Sequence, residues 1–435
     1  MRNKIHKMTR ATILLAVILT LFLAGNAAAV IDGVIGNSLE LTAKADYISP
    51  PDGGSVLFWG YADGTGRAQY PGPTLIVNQG DTVTITLKNE LTVAGGGPAP
   101  NVSIVFPGQE NVTATGGTAG LLTQEAAPGG ADMVTYTFNA DKPGTYLYNS
   151  GTQQDLQTEM GLFGAIVVRP SLGANYAYNH PDTAFTHEYL FLLSEMDPNL
   201  HRMVEFLGPN STQVTSGDYL SDYFPAYWFI NGRNAPDTMA NAFVSWLPTQ
   251  PYNCMPRTHP GEKVLMRVIG GGRDLHPFHH HGNHARVIAK DGNLLESVPG
   301  AGPDLSHEVF TIKTIPGKTV DALFSWTGHG LGWDMYGHTS TNDPLMPGED
   351  AADHGKPIPV NLPEKQEMAF GGFYSGSPYL GSLGSLPPGE GVLNPNGGFV
   401  YMWHSHTEKE MANWDLFPGG LMTQLIVEPF GVPIP

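Results

Sequence analysis

Hydrophobic and polar residues alternate along most of this chain in short runs such as "DTVTITL" (81–87), "VTYTF" (134–138) and "GAIVV" (164–168). A period of two sends successive side chains to opposite faces, so each run predicts a β-strand with at least one buried face. Glycine and proline punctuate the runs, and beyond residue 30 almost no stretch keeps apolar residues at helical spacing. The expected fold class is all-β.

The start of the chain breaks the pattern. "MRNKIHKMTR" carries four basic side chains and no acid, and is followed by the 15-residue apolar run "ATILLAVILTLFLAG" and then by "NAAAV". That is the pattern of a signal peptide over residues 1–29, with cleavage expected after Ala29. The run falls short of the roughly 20 residues that a spanning helix needs. The expected location is secreted or periplasmic, with no transmembrane segment once the leader is cleaved.

Four short motifs recur in the same order. "GDTVTITL" from Gly80 resembles "GEKVLMRV" from Gly261, and "SIVFPG" (103–108) falls where "PFHHHG" (277–282) does. "TYLYNSG" ending at Gly151 parallels "VYMWHSH" ending at His406, and "GLFGAIVVRP" from Gly161 parallels "GLMTQLIVEP" from Gly420. A duplicated unit is the simplest source of such a series. The expected domains are 35–170 and 185–430, joined by "RPSLGANYAYNHPD", with a long insertion at 341–398 in the second copy. An insertion of that length reads equally as a lid, a partner surface or a plain surface excursion.

Composition narrows the function. Gly and Pro number 54 and 36 and charged residues are only 14%, which suits sandwiches and barrels. Forty acidic residues against 22 basic give a net charge of -18, or -22 once the four positive charges of the leader are gone. So acidic a protein is a poor partner for nucleic acid. Cys254 is the single cysteine, so no intrachain disulfide can form, and it reads as a half-buried small apolar residue. There is no phosphate-binding Gly loop, nucleophile elbow or H-E-x-x-H zinc motif.

The chemistry concentrates in histidine. "HPFHHHGNH" holds five in nine positions, His276 to His284, and "WHSH" adds His404 and His406. On strands, His279 with His281 and His404 with His406 each share a face, while Ser405 points the other way. If the two strands are neighbours, four imidazoles can meet, a donor set that suits copper or zinc.

These segments resemble a known family. "HPFHHHG" is similar to the His-Pro-x-His-x-His-Gly signature of multicopper oxidases, and "WHSH" followed by "PGGLM" is similar to their last His-Cys-His signature without its cysteine. "YPGPTLIVNQGDTV", "KPGTYLYNSG", "YWFINGR", "HPGEKVLMRVI" and "PGKTVDALFSWTG" extend the likeness over most of the chain. The resemblance implies two cupredoxin-like Greek-key β-sandwich or barrel domains. It also implies His276 as a type 1 copper ligand, His279 as a type 2 ligand, and His281, His404 and His406 as type 3 ligands.

Several positions depart from that pattern. Ser405 replaces the type 1 cysteine and Glu410 the second type 1 histidine; the axial position falls at Leu421 or Met422. Val105, Pro107, Asn149 and Gly151 stand where the first domain would supply two His-x-His pairs, and residues 30–170 contain no histidine or cysteine. A serine hydroxyl cannot replace a thiolate on copper. Blue-copper and trinuclear centres are therefore incomplete in one chain, and a homotrimer would present the same histidine-free first domain to each neighbour.

Two readings stand. In one, the protein is a copper-binding oxidoreductase working at a mononuclear site of His279, His281, His404 and His406, with His276 hydrogen-bonding a turn and zinc as the alternative ion. In the other, it is a non-catalytic scaffold for binding or assembly with an extracytoplasmic partner, either another redox protein or the cell envelope, and a homo-oligomer, a trimer, is the candidate self-assembly. Glu408 and Glu410 read as a charged loop in water, and His329 and His338 are too loosely spaced for a claim.

Overall fold

The structure is a computed structural model describing residues 31–93, 97–216, 222–357, 377–380, 398–428 and 432–434. The expected leader and most of the 341–398 insertion lie outside the described residues. Among those described, no helix is long and apolar enough to cross a membrane.

The alternating runs become strands of two related β units, so the all-β expectation holds. In the first unit, Val56–Asp63, Ser38–Ile48, Thr82–Asn89, Val134–Asn139 and Thr113–Gly116 form one sheet in that order. The facing sheet orders Val34–Ile35, Leu75–Asn78, Phe163–Arg169 and Gly144–Asn149. Thr82–Asn89 buries every second residue, as its pattern requires. The second unit packs a sheet built on His187–Met196, Lys263–Gly270 and Thr319–Ser325 against one in which Met422–Val427, Gly398–Ser405, His276–His280 and Thr311–Thr314 follow in order.

Phe163–Arg169 is buried on both faces because the second unit covers it. Ile166 and Val168 enter the first unit's core, whereas Phe163, Ala165 and Val167 join Leu190, Leu192 and Phe229 in an apolar layer between the units. Beside that layer Glu188 accepts from Arg169 and Arg267, each at 2.6 Å. Helical structure is limited to short pieces. The helix Pro198–Leu207 starts with Pro at its first position and Asp197 as cap, accepting from the Asn199 N–H at 2.9 Å, and it sends Leu200 and Val204 into the first unit's core.

The matched motifs share local geometry. Gly108 and Gly282 have φ of +85° and +101°, and Gly80 and Gly261 have +89° and +83°, left-handed values that favour glycine in both copies. Val105 bridges Asn149 in the first unit, as His279 pairs with His404 in the second.

Candidate metal centre

The strands His276–His280 and Gly398–Ser405 run antiparallel with Phe278 opposite Ser405, His279 opposite His404 and His280 opposite Trp403. Residues paired across antiparallel strands share a face, so this register sorts the side chains into two sets. Phe278 and Trp403 face the second unit's core, together with His280, His276 and Ser405, all fully buried. His279, His281, His404 and His406 share the opposite face.

On that face, ligand atoms of His279, His281 and His404 lie within 4.8 Å of one another. The Nε2 atoms of His404 and His281 are 3.2 Å apart. The ring of His406, which is exposed, sits 4.9 Å from that of His279 and 5.6 Å from that of His404. The Nδ1–H of His404 donates to the Ser405 carbonyl at 2.6 Å, which leaves Nε2 bare and turned toward His281. Nδ1 of His279 is 3.0 Å from the Thr311 hydroxyl. Burial, with the neighbouring His404 and His406, pulls His279 down to about 4, and burial likewise lowers His404. Imidazoles such as those of His279 and His404, kept neutral by burial, with Nδ1 tied back, fit a soft or borderline divalent ion.

His276 lies on the other face, outside this cluster. Its Nε2 meets Glu195 at 2.8 Å and its Nδ1 meets Glu410 at 2.9 Å, with all three side chains buried. Burial opposes the charged ring, yet the hydrogen bonds and charges of the two carboxylates outweigh it and push His276 up to about 10. The expected metal-ligand role of His276 therefore meets an imidazolium clamped between two carboxylates, with neither nitrogen free to ligate. Glu410 is likewise not the solvated residue expected, because it turns inward to compensate that buried charge; Glu408 stays exposed. Glu195 went unnoticed in the sequence, where a single Glu in the apolar strand "HEYLFLLSEM" is the available signal.

The network continues into the first unit. The Tyr223 hydroxyl lies 3.3 Å from Glu195 and 2.8 Å from Glu159, which also accepts the Asp197 N–H at 2.7 Å. Burial and the nearby Glu195 push Glu159 up to about 8. Two further residues are fully buried. His280 is buried, held near neutral carbonyl and amide groups and driven down to about 3 by burial. Cys254 is wholly rather than half buried, its Sγ 2.9 Å from the Ile230 carbonyl, and burial raises its thiol to about 12.

In the first unit the corresponding positions carry no donor of this kind. Val105 and Asn149 bridge, and beside them Ser103, Thr152 and Glu125 form a hydroxyl–carboxylate chain with contacts of 2.8 and 2.9 Å.

Comparison with known proteins agrees with this architecture. Residues 50–172 match the family model described as Multicopper oxidase. Copper resistance protein A of Escherichia coli is 26% identical over 257 residues, covering 52% of this chain and 38% of that protein. L-ascorbate oxidase of Cucurbita maxima is 32% identical over 116 residues, 26% of this chain and 18% of the relative. The matched region thus spans well under half the length of either relative. The solved structure of the blue copper oxidase from Nitrosomonas europaea shares the fold, with a TM-score of 0.53 at 18% identity over 89% of this chain and 85% of that one. The family-model match over residues 50–172 and the copper-protein relatives support a likeness to the multicopper oxidase family.

Proposed function

We propose that this chain is an extracytoplasmic copper-handling protein whose second unit binds one copper ion through His279, His281 and His404, with His406 in reach as a fourth ligand. Any redox reaction then runs at that single metal. The observation that carries this reading is the convergence of three imidazole ligand atoms within 4.8 Å on the solvent side of one strand pair. An all-imidazole set suits copper or zinc. The names of the relatives, Copper resistance protein A and L-ascorbate oxidase, favour copper and oxidoreductase chemistry.

When bound, copper would supply one-electron redox chemistry without a thiolate ligand. The chain's own residues orient and shield. The Ser405 carbonyl fixes the tautomer of His404, and Thr311 contacts Nδ1 of His279. The Trp403 Nε1–H donates to the His281 carbonyl at 3.0 Å and holds the end of that strand. Phe310, 54% exposed, stands edge-on to His279 at 5.8 Å and gives the site an apolar rim. The first unit, with Val105 and Asn149 at the corresponding positions, serves as structural support.

The test is metal analysis of protein secreted under copper-replete conditions, paired with electron paramagnetic resonance. The expected result is about one copper per chain with a type 2 signal and no intense blue absorption. His279→Ala with His404→Ala should remove that copper. Copper uptake that is nil, or that survives the double substitution, overturns the proposal and favours a scaffold that acts by assembly with an extracytoplasmic partner.

A further inference from the structure

A second group of ligand-type side chains lies in the loop after strand Thr319–Ser325. One ligand atom each from Asp334, His338, Glu349 and His354 lies within 4.8 Å of the others. The convergence is tighter than that bound. Nδ1 of His338 is 2.9 Å from Asp334 Oδ2 and 3.3 Å from Glu349 Oε1. Nδ1 of His354 is 2.5 Å from the same Glu349 oxygen and 3.4 Å from the same Asp334 oxygen. Both carboxylate side chains have no solvent exposure, and the two imidazoles are 17% and 8% exposed.

We propose that these four side chains are a closed, four-coordinate site for a structural divalent transition-metal ion of the zinc type, separate from the imidazole cluster of the second unit. A tetrahedron with metal–ligand bonds of about 2.0–2.1 Å has donor–donor edges of about 3.3 Å; two of the four contacts, at 3.3 and 3.4 Å, match it, and the other two, at 2.5 and 2.9 Å, would have to open by several tenths of an ångström on binding. Two nitrogens and two carboxylate oxygens are a zinc-compatible set.

The outer atoms are already committed. Asp334 Oδ1 accepts the Tyr336 N–H at 2.9 Å and Glu349 Oε2 accepts the Met346 N–H at 2.8 Å. His354 Nε2–H donates to the Asp343 carbonyl at 2.8 Å, which turns Nδ1 inward. Asp334, Glu349 and His354 are thus each tied back on the far side, as a metal site requires of its surroundings. The competing account is a pair of imidazolium–carboxylate ion pairs. It would hold two like-charged rings with centroids 4.9 Å apart, and each ring would be shared between both carboxylates rather than paired with one. One central cation satisfies all four atoms at once.

The location gives the ion a task. Asp334 and His338 come from one limb of the loop, Glu349 and His354 from the other, and between the limbs the backbone makes only scattered bonds such as Gly328 N–H to Gly348 O at 2.8 Å and Asp334 N–H to Lys356 O at 2.9 Å. Leu331, Trp333 and Met335 on the first limb are buried in the second unit's core. A metal clasp would hold them there in a segment that lacks a strand or helix to do so.

The experiment uses the full secreted chain carrying His279→Ala and His404→Ala, so that the imidazole cluster cannot contribute, stripped with a chelator and titrated with zinc chloride. The expected result is one zinc per chain, a rise in thermal midpoint on binding, and an X-ray absorption spectrum with two imidazole nitrogens and two oxygens at about 2.0 Å. Adding Glu349→Gln, which keeps the side chain's size, should weaken zinc at least about tenfold while circular dichroism stays that of a folded β protein. His338→Gln provides the same test on a more exposed ligand should Glu349→Gln not fold. Failure to bind zinc, or zinc affinity unchanged by both substitutions, would show an imidazolium–carboxylate cluster and overturn the proposal, whatever the fate of copper at the other site.

Discussion

The two halves of the molecule pair the same strands in the same register and fill the result with different chemistry. Val105 bridges Asn149 where His279 pairs with His404, and both turns that follow the first strand end in a glycine of positive φ, Gly108 and Gly282. Even the serines correspond. The Ser150 N–H donates to the Leu162 carbonyl and its Oγ accepts the Thr152 N–H at 3.1 Å; the Ser405 N–H donates to the Leu421 carbonyl and its Oγ accepts the Thr407 N–H at 3.1 Å. The pleat and its turns thus set where ligands could stand, and the side chains decide separately whether any do.

Substitutions that act on the framework should therefore be costly in both halves, and those at the ligand positions cheap in both. Tyr148 and Trp403 occupy corresponding positions, and each is fully buried in the core of its own unit. Tyr148→Ala and Trp403→Ala should each destabilise by about 3–5 kcal/mol in urea denaturation. Asn149→Ala and His404→Ala, one residue on and facing the other way, should cost about 1 kcal/mol, the scale of a lost hydrogen bond. Equal costs on the two faces would mean that the imidazole face belongs to the core after all.

A smaller effect probes the contact between the halves. Glu159, from the first unit, reaches Tyr223 and the neighbourhood of Glu195 in the second, and its carboxyl is raised to about 8 by burial and by Glu195 against the opposing Asp197 N–H, Tyr223 hydroxyl and Arg273 charge. In the unfolded chain the same carboxyl titrates near 4.3. Between those values the native state keeps a proton that the unfolded state has lost, so stability falls as pH rises through this window, by at most about 1.4 kcal/mol per pH unit. Glu159→Gln should flatten the decline in urea midpoints between pH 5 and pH 8 relative to the parent chain. Parallel pH profiles would show that Glu159 is charged in the native state and that the halves meet there as an ion network.

How much of this could be read in the sequence depended on whether the relevant partner was local. Alternation fixed Thr82–Asn89 as a half-buried strand, and the His-x-His spacing put His279, His281, His404 and His406 on one face once their strands were neighbours. Phe163–Arg169 also reads as a strand, but its burial on both faces comes from the docked second unit, which no local pattern encodes. The partners of His276 lie 81 and 134 residues away, so Glu195 and Glu410 could be joined to it only through the fold. Asp334 and His338 are four apart and Glu349 and His354 five apart, yet an irregular loop gives such spacings no fixed direction, and His338 looked isolated.

The least effect is expected at the residue that looks most like a lesion. Ser405→Cys restores the thiol that a type 1 copper would need, on the buried face beside His276. The rest of that site is committed elsewhere, since both nitrogens of His276 are held by Glu195 and Glu410, and Glu410 stands where the second imidazole would be. Blue copper needs a thiolate and two imidazoles together, so copper loading of Ser405→Cys should give no intense blue band. The exchange should cost about 1 kcal/mol, because sulfur is a poor acceptor for the Thr407 N–H that Ser405 now holds. Ser150 makes the same turn contact in the half without histidines, but its hydroxyl also donates to Gln157 Oε1 at 2.6 Å, so Ser150→Cys should cost more, about 1–2 kcal/mol. A colourless Ser405→Cys that costs no more than Ser150→Cys would identify Ser405 as part of the shared β framework. A blue Ser405→Cys chain would show instead that the two carboxylates yield His276 to the metal.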